Sequence, residues 1–400
     1  GIRDSSASRG LGDVYKRQAL YLPQFHPIPE NDKWWGKGFT EWTNVVKAKP
    51  LFKGHYQPHL PADLGFYDLR LPEVREQQAE LAKEAGIEGF CYYHYWFGNG
   101  KELLERPFNE VLASGKPDFP FCLCWANHDW TNKTWTKGKT YKKDSMIMKM
   151  EYSTEDHVRH FNHLLPAFKD SRYIKVDGKP LFAVWAPKDI PEVKKFIELW
   201  QVLAKQNGLP GIHFVGYTVN ASGRSANNKN KLSLYETNKA ADHYNAILKL
   251  GFDAVMSSGL SRGQAMCQSK LKMLIFYLMN KTFFPISNRC DYAKAMKNYY
   301  TKEDSWENVY PTLLPQWDRT PRAGIATNPL THSTPEKFEK TIEKALDIIK
   351  EKQSEHQILF LKAWNEWGEG NYVEPDDKFG HGWLNAIKNA IKKFNYQTPK

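Results

Sequence analysis

Long hydrophobic runs are lacking in this 400-residue sequence. The apolar run in its most basic region, residues 262–302, is Met273–Met279, which is far shorter than the ~18 residues of a membrane-spanning helix. Dense runs of Lys and Arg are lacking too, so the net charge of +11 does not indicate a surface that tracks nucleic-acid phosphates. For residues 262–302 we favour a helix with a basic outer face, and the alternative is a weak peripheral contact with a membrane.

Cysteine is scarce, and the five residues are Cys91, Cys122, Cys124, Cys267 and Cys290. Cys122 and Cys124 alternate along an apolar run, which puts both on one face of a predicted strand, and no second close pair completes a zinc site. No Gly-rich phosphate loop or dinucleotide fingerprint follows a predicted strand. We therefore expect core thiols in a reducing compartment, a cytoplasmic location, and no metal or other cofactor.

Three histidines recur at intervals of three in one predicted helix, at His157, His160 and His163. This spacing suits either a metal site or a polar helix face. Because no acid or cysteine completes a ligand set, we favour the polar face.

Residues 1–18 have neither a hydrophobic period nor an apolar signal-peptide core. The stretch Asp13–Gln18 reads Asp-Val-Tyr-Lys-Arg-Gln, which resembles the translated end of a sequencing transposon in a metagenomic gene. We therefore expect residues 1–18 to be a non-native, adapter-derived leader, and residues 19–400 to form the folded domain.

Short apolar runs alternate with amphipathic helical segments from Ala19 onward. The predicted strands are Leu20–Phe25, Glu88–Tyr95, Phe119–Trp125, Leu181–Trp185, Ile212–Tyr217, Asp253–Met256, Tyr310–Gln316 and Ile358–Ala363. No repeat, low-complexity stretch or Gly/Ser linker divides the chain. Since each strand is followed by one helix and no hairpin intervenes, a closed barrel is more economical than an open sheet. We predict an α/β fold, a single-domain (β/α)₈ TIM barrel with long βα loops.

The long irregular segments, residues 26–71, 126–152, 218–234 and 319–332, each follow a predicted strand, and barrel active sites are built from such loops. Aromatic residues at these strand ends have polar neighbours, as is typical of rings that stack on sugars in a cleft. The predicted substrate-binding residues are His26, Glu41, Trp42, His94, Tyr95, Trp96, Trp125, Asn127, Trp185, Tyr217, Trp317, Arg322, Asn365 and Trp367.

The last predicted strand leads into Trp-Asn-Glu-Trp-Gly-Glu-Gly at residues 364–370. Glycoside cleavage needs two carboxyl groups about the scissile bond, one that donates a proton and one that acts as base or nucleophile. Two glutamates three residues apart on a glycine-bearing turn can point into one cleft, and flanking tryptophans raise the pKa of a carboxyl group. We therefore predict Glu366 and Glu369 as the catalytic residues, and the alternative is a solvated acidic turn.

These segments resemble the WbsX family of bacterial polysaccharide-locus proteins, which is related to glycoside hydrolase family 99. The most specific strings are Tyr-Leu-Pro-Gln-Phe-His at residues 21–26 and Asn-Glu-Trp-Gly-Glu-Gly-x-Tyr-x-Glu-Pro at residues 365–375. The resemblance implies that residues 19–400 are one metal-free catalytic barrel with endo-α-mannosidase-type chemistry that retains configuration. It implies that Glu366 deprotonates the sugar 2-hydroxyl, which attacks the anomeric carbon, and that Glu369 is the general acid and later the base.

Two positions depart from the family pattern. His128 stands where relatives of the WbsX type usually carry an acid, and Gly368 stands where the family 99 hydrolases have a histidine. These differences leave open whether the substrate is an α-1,2-linked mannan.

The predicted function is a retaining glycoside hydrolase that acts on a bacterial surface polysaccharide or a related oligo- or polysaccharide. The alternative is a glycosyltransferase or transglycosylase of lipopolysaccharide O-antigen or capsule biosynthesis, against which the absence of an Asp-x-Asp metal–nucleotide motif argues. A third hypothesis is a non-catalytic glycan-binding barrel, against which the two intact glutamates argue.

Overall fold

Parallel strands close into a barrel, as the sequence predicts. The computed structural model describes residues 16–131, 146–218, 239–267, 287–325 and 327–397, with five further residues at 271, 274, 275, 278 and 279. The barrel strands are β1 Lys16–Tyr21, β2 Gly89–Gly98, β3 Phe121–Trp125, β4 Lys179–Val184, β5 His213–Tyr217, β6 Ala254–Ser257, β7 Val309–Leu313 and β8 Ile358–Leu361. Each pairs in parallel with its neighbours, and β1 pairs with both β2 and β8, which closes the ring.

A helix follows each barrel strand on the outside of the ring. These helices are α1 Pro72–Glu84, α2 Arg106–Ser114, α3 Thr154–Lys169, α4 Val193–Gln206, α5 Lys239–Leu248, α6 Tyr292–Met296, α7 Pro335–Ile349 and α8 Gly382–Gln397. The alternation of eight strands with helices is the predicted (β/α)₈ barrel.

The loops contain shorter elements. The short helices are Pro29–Trp35, Trp42–Val45, Leu260–Met266 and Thr320–Ala323, and the 3₁₀ helices are Pro187–Asp189, Lys302–Ser305, Ser354–His356 and Trp367–Glu369. The short strands are Lys101–Leu103, Trp130–Thr131, Met146–Met148, Lys175–Val176, Cys290–Asp291, Leu330–Thr331, Asn365–Glu366 and Asn371–Tyr372.

Local sequence explains where the helices begin. At the start of α3, the side chain of Ser153 accepts the N–H of Asp156 at 3.1 Å, and two acids occupy the first turn, where the helix dipole favours negative charge. At the start of α7, Thr334 accepts the N–H of Lys337, and Pro335 occupies the first helical position, where no N–H is needed.

Strand β2 shows how the barrel strands divide their side chains between two environments. Tyr93 points into the barrel, where its ring centroid lies 5.5 Å from that of Trp185 at the end of β4. Trp96 points outward and stacks on His160 of α3 at 4.8 Å. Because successive residues of a strand face opposite sides, only every second residue at a strand end reaches the mouth of the barrel.

The domain begins earlier than predicted. Lys16–Gln18 belong to β1, and they pair with Ile358–Phe360 of β8. Arg17 is buried, and its Nε donates to the carbonyl of Gly86 at 2.6 Å. The predicted boundary between residues 18 and 19 is therefore wrong for the fold, because backbone pairing and burial include residues 16–18. The predicted adapter origin of residues 1–18 stays a prediction, and residues 1–15 lie outside the described part.

The expectation of core thiols is wrong for two of the cysteines. Cys267, at the end of the helix Leu260–Met266, forms a disulfide with Cys290, whereas Cys91, Cys122 and Cys124 are free and buried. The pairing escapes a motif search because it joins a helix end to a short strand 23 residues away. Disulfides persist in oxidising compartments, so the cysteines do not support the predicted cytoplasmic location.

Four predicted segments lie partly outside the described residues. These are the loop 319–332, which lacks residue 326, the loops 126–152 and 218–234, and the basic region 262–302. In the last, the described side chains of Leu271, Leu274, Ile275 and Leu278 are exposed. Among the described helices, none is both long and apolar enough to cross a membrane. The basic outer face and the peripheral membrane contact stay predictions.

Candidate active site

The two predicted catalytic glutamates lie on the turn that follows β8. A short antiparallel pair, Asn365–Glu366 with Asn371–Tyr372, encloses one turn of 3₁₀ helix, Trp367–Glu369. Gly370 ends this turn with a φ of 51°, and a Cβ there would lie 2.9 Å from the Cβ of Asp318, so the position requires glycine. Both glutamates are only 7% exposed. The turn thus brings two carboxyl groups into a buried site at the carboxyl end of the barrel.

Arg322 holds three buried carboxyl groups together. Its Nη2 lies 2.6 Å from Oε1 of Glu41, and its Nη1 lies 3.3 Å from Oε1 of Glu366 and 2.9 Å from Oε1 of Glu369. Burial lowers the pKa of Arg322, but the attraction of the three carboxyl groups outweighs burial and raises it. The guanidinium therefore stays charged and fixes the positions of the carboxyl groups around it.

Glu41 explains the glycine between the two predicted catalytic glutamates. It is fully buried, and its Oε1 accepts the N–H of Gly368 at 2.8 Å. A Cβ at position 368 would overlap this oxygen and would lie 3.0 Å from Nε of Arg322. The ion pair between Glu41 and Arg322 thus occupies the space that a side chain at position 368 would need. Burial raises the pKa of Glu41, and Arg322 partly offsets that rise.

Lys362 and two tryptophans form one wall of the site. The Nζ of Lys362 lies 3.4 Å from Oε2 of Glu366, 4.8 Å from the ring centroid of Trp185 and 5.3 Å from that of Trp317. Trp185 in turn stacks on Tyr217 with centroids 4.4 Å apart. A buried ammonium gains from aromatic faces as well as from a carboxylate. The wall therefore combines aromatic surface with a positive charge directed at Glu366.

The two glutamates differ in the direction of their pKa shifts. Burial is the largest influence on both, and at Glu366 the charge of Glu369 adds to it, so the pKa of Glu366 is raised. At Glu369 the cations Arg319, Arg322 and Lys362 outweigh burial and hold the pKa at about 2. The Nε of Arg319 lies 2.9 Å from Oε1 of Glu369. One carboxyl group thus favours the proton while its neighbour is ionised, which is the division that acid–base catalysis requires.

Comparison with known proteins identifies the family. A family model described as Glycosyltransferase WbsX matches residues 17–387. The chain belongs to this family. It is 34% and 33% identical over 376 residues to the protein WxcX of two strains of Xanthomonas campestris pv. campestris. These alignments cover 94% of the chain and 49% of each relative, so the chain spans about half the length of the curated relatives it matches.

Solved structures share the fold of this WbsX-family chain. The GH99 endo-alpha-mannosidase from Bacteroides thetaiotaomicron superposes with a TM-score of 0.52 at 14% identity, over 96% of this chain and 98% of that one. Its complex with bis-tris propane gives a TM-score of 0.54 at the same identity and coverage. A glycoside hydrolase-like protein gives 0.56 at 12% identity, over 96% and 97% of the two chains. At these identities the likeness establishes the barrel fold alone.

The WbsX-family barrel brings several of the predicted residues together. Besides the two glutamates, they are Glu41, Tyr95, Trp185, Tyr217, Trp317 and Arg322. Tyr95 is buried, and it is near enough to Glu366, Arg322 and Glu41 for their charges to influence its pKa. His128 lies near enough to Glu369 to interact with its charge, and its side chain is exposed to solvent.

Three residues of the site are absent from the predicted site residues. Tyr93 interacts with Glu366, and its signal is the two-residue spacing from Tyr95 along β2. Lys362 directly follows β8, and in the sequence it looks like an ordinary lysine at a strand end. Arg319 lies in a loop of several charged residues, which could equally form an ion pair that holds the loop in place. The contacts of Lys362 and Arg319 depend on how β8 and the loop after β7 meet, which sequence spacing does not reveal.

Three predicted substrate-binding residues lie on the outside of the barrel. Nε2 of His94 lies 2.8 Å from Nε2 of His160, and Nε1 of Trp125 donates to the carbonyl of Trp96 at 2.8 Å. The indole N–H of Trp96 donates to Asp156 on α3. The prediction that His94, Trp96 and Trp125 bind substrate is therefore wrong, because these positions alternate with the inward-facing ones and pack against α3.

The predicted polar histidine face of α3 is also wrong. His157 and His160 are buried, whereas His163 is exposed and lies 2.9 Å from Glu102, which also contacts His94 at 2.9 Å. Strand β2 covers this face of the helix, so two of the histidines pack among aromatic rings. Within the described ranges, no group of three or more His, Cys, Asp or Glu residues is arranged to hold a metal ion.

Asn365 and Asn127 connect loops. The side-chain oxygen of Asn365 accepts the N–H of Leu22 at 2.8 Å, and its amide nitrogen donates to the carbonyl of Leu22 at 3.1 Å. Asn127 makes the same reciprocal pair with Ala186, with both distances 2.8 Å. Both are fully buried, so these side chains position strand ends rather than face a substrate.

Trp367 and Trp42 pack in the core beside the turn that carries Glu366 and Glu369. Trp367 stacks on Tyr372 with centroids 3.6 Å apart, and its Nε1 donates to Glu374 at 2.6 Å. Trp42 lies 5.3 Å from Trp367, and its Nε1 donates to the carbonyl of Tyr67. Each is at most 7% exposed, so both predicted sugar contacts are corrected to core positions.

His26 is buried at the end of the Tyr-Leu-Pro-Gln-Phe-His string. Burial lowers its pKa to about 4, although the charge of Asp68 and a backbone bond to Pro23 act in the opposite direction. The ring is therefore neutral near pH 7. These contacts connect the loop after β1 to residue 68, and the predicted role in substrate binding stays a prediction.

Glu374 gives a test of how the turn is supported. Its carboxyl group accepts hydrogen bonds from Trp367, Gln78 and Tyr67, and burial raises its pKa from 4.5 to about 7. Since the folded state holds this proton more tightly, its contribution to stability is complete below the unfolded pKa and is lost as the pH rises towards 7. We expect the stability of the wild type relative to Glu374→Gln to fall by on the order of 3 kcal/mol between about pH 4.5 and 8.

The measurement is urea unfolding of the wild type and Glu374→Gln across this pH range. The exposed Glu351→Gln serves as the matched control and should show no such change relative to the wild type. A difference between the wild type and Glu374→Gln that stays constant with pH would contradict the proposed protonation of Glu374.

Proposed function

We propose that this chain is a glycan-active enzyme, specifically a retaining glycoside hydrolase that acts on a bacterial surface polysaccharide or a related glycan. The observation that carries the proposal is the pair of buried carboxyl groups on one turn, with pKa shifts of opposite direction. Such a pair supplies both the acid and the base that glycoside cleavage needs. The aromatic wall of Trp185 and Trp317 supports the proposal, because sugar rings pack against indole faces.

The spacing of the carboxyl groups supports retention rather than inversion. One nitrogen, Nη1 of Arg322, lies 3.3 Å from an oxygen of Glu366 and 2.9 Å from an oxygen of Glu369. Inverting enzymes keep their carboxyl groups about 6.5–9.5 Å apart so that a water fits between them. Two oxygens that share one hydrogen-bonding nitrogen leave less room than that.

In the proposed mechanism Glu366 takes the proton of the sugar 2-hydroxyl, as the family resemblance implies. The 2-oxygen then attacks the anomeric carbon while the glycosidic bond breaks, and Glu369 protonates the departing oxygen. In the second step Glu369 takes a proton from water and the water oxygen attacks the anomeric carbon. The bond between that carbon and the 2-oxygen breaks, and Glu366 returns its proton to the 2-oxygen. Lys362 and Arg322 stabilise the ionised form of Glu366 that begins the reaction.

The test is product analysis after incubation with a panel of bacterial polysaccharides and α-mannans. We expect new reducing ends whose anomeric configuration, followed by proton NMR at early times, matches that of the cleaved bond. Products of inverted configuration would refute the two-step mechanism. Binding without any product on every bound glycan would instead favour the non-catalytic barrel.

The family description favours a second candidate, a glycosyltransferase or transglycosylase of O-antigen or capsule assembly. A transglycosylase would use the same two glutamates, with a sugar hydroxyl in place of water. Saturable binding of a nucleotide-sugar, or a product longer than the glycan supplied, would favour this candidate over hydrolysis.

A further inference from the structure

Arg319 occupies a position that the acid–base pair alone does not explain. Its Nε and the Nη1 of Arg322 each lie 2.9 Å from the same oxygen, Oε1 of Glu369. The side chain of Arg322 is 7% exposed, whereas that of Arg319 is 41% exposed. The buried arginine already pairs with this oxygen, so the exposed one is a second cation that faces the opening of the site.

The charges around Glu369 indicate what this second cation is for. Glu41 pairs with Arg322, and Lys362 lies 3.4 Å from Glu366. When Glu366 and Glu369 hold one proton between them, one of the two is ionised, and Glu41 carries a second negative charge. These two negative charges face three cations, Arg319, Arg322 and Lys362. Of these three cations, Arg319 is the exposed one, and it lies on the side from which a substrate must enter.

We propose that Arg319 recognises a carboxylate on a sugar residue of the substrate, as in a uronic acid, and that this contact frees Glu369 to act as the general acid. The proposal rests on the proposed hydrolase function and names its substrate class, an acidic glycan. A guanidinium pairs with a carboxylate through two parallel hydrogen bonds, which gives directional recognition. The carboxylate of the substrate would replace Glu369 as the partner of Arg319.

This exchange resolves a conflict between the free site and the mechanism. In the free site the proton favours Glu366, whereas the mechanism needs it on Glu369. Loss of the contact with Arg319 raises the pKa of Glu369, because a nearby cation no longer stabilises its charge. One proton then moves from Glu366 to Glu369, and Glu366 is left ionised beside Lys362 and Arg322. Substrate binding thus sets the starting state, and no other proton donor is needed.

The experiment compares acidic capsular polysaccharides that contain uronic acids with their carboxyl-reduced counterparts, which keep the linkages and lose the charge. The enzymes are the wild type, Arg319→Gln and Arg319→Lys, and the control is Arg159→Gln at another exposed arginine. We expect the wild type to prefer the charged form, and Arg319→Gln to lose about 10- to 100-fold in kcat/KM on that form alone. Arg319→Lys should recover part of the loss, and thermal melting of each variant checks the fold.

The outcomes separate this inference from the hydrolase proposal. Equal losses on charged and reduced glycans in Arg319→Gln, or a wild type that prefers the reduced form, would overturn the role of Arg319 and leave the hydrolase intact. Tighter binding of the charged form without cleavage, abolished in Arg319→Gln, would support the recognition and count against hydrolysis. A pH–rate profile also reports the proton shift. The apparent pKa that it assigns to Glu369 should change in Arg319→Gln on reduced glycans only.

Discussion

Glu369→Gln is expected to lower kcat by about 10³- to 10⁴-fold on a natural glycan while glycan binding persists, because the amide keeps the shape of the side chain but cannot donate the proton. Glu366→Gln should lose activity to a similar extent, because the amide cannot deprotonate a hydroxyl. Both variants keep a side chain that can accept the hydrogen bonds of Arg322. Turnover and binding are measured separately, by reducing-end release and by titration calorimetry, and the exposed Glu351→Gln serves as the control.

A substrate with an activated leaving group separates the two roles. The phenol of an activated aryl glycoside leaves without protonation, so Glu369→Gln should regain most of its kcat/KM, which reports the first step, on this substrate. Its kcat should stay low because the second step still lacks the base, and Glu366→Gln should regain neither. The reverse pattern would assign the general acid to Glu366, the residue that favours the proton in the free site. Near-normal activity of both variants on the natural glycan would remove the carboxyl pair from the mechanism altogether.

Gly368→Ala is expected to disrupt the site without replacing either of the predicted catalytic glutamates. The added Cβ would overlap Oε1 of Glu41 and press on Nε of Arg322, which lies 3.0 Å away. Separating a buried ion pair leaves charges without partners, so we expect a loss of about 3–5 kcal/mol in the free energy of unfolding and a loss of most activity. Urea unfolding and kcat/KM measure the two effects.

A double-mutant cycle identifies the cause. Glu41→Ala alone should destabilise the fold, because Arg322 loses its closest carboxylate. In Glu41→Ala/Gly368→Ala the overlap is absent, so the second substitution should cost much less than it does in the wild type. Gly54→Ala is the matched control, since its Cβ would meet open space and only its φ of 78° opposes the change. Additive costs in the cycle would contradict the proposed role of Glu41.

The barrel is the part of the structure that the sequence predicts best. Each predicted strand overlaps an observed one, because a buried parallel strand is a short apolar run and each is followed by an amphipathic helix. The first strand is the exception at its start, since Lys16 and Arg17 are charged and do not read as strand residues. Their pairing with β8 comes from barrel closure, which local sequence does not record.

Sequence reasoning is less complete for the site. It finds the glutamates and several aromatic residues, but it assigns His94, Trp96 and Trp125 to the cleft because strand ends alone do not say which alternate residues point inward. It misses Lys362, whose importance depends on the charge of Glu366 beside it. In the sequence, Gly368 is only a difference from related enzymes. The structure shows that Glu41, more than 300 residues away, occupies the space that a side chain at position 368 would need.

Barrel closure also determines when the turn that carries Glu366 and Glu369 forms. Strand β1 pairs with β8, and the amide of Asn365 binds the backbone of Leu22 from the first strand's end. During synthesis on the ribosome, the first strand therefore waits for its last partner until residues beyond Gln357 have emerged. Before then the nascent chain cannot hold Glu366 and Glu369 in this arrangement, so the pair is placed only when the last barrel strand joins the first.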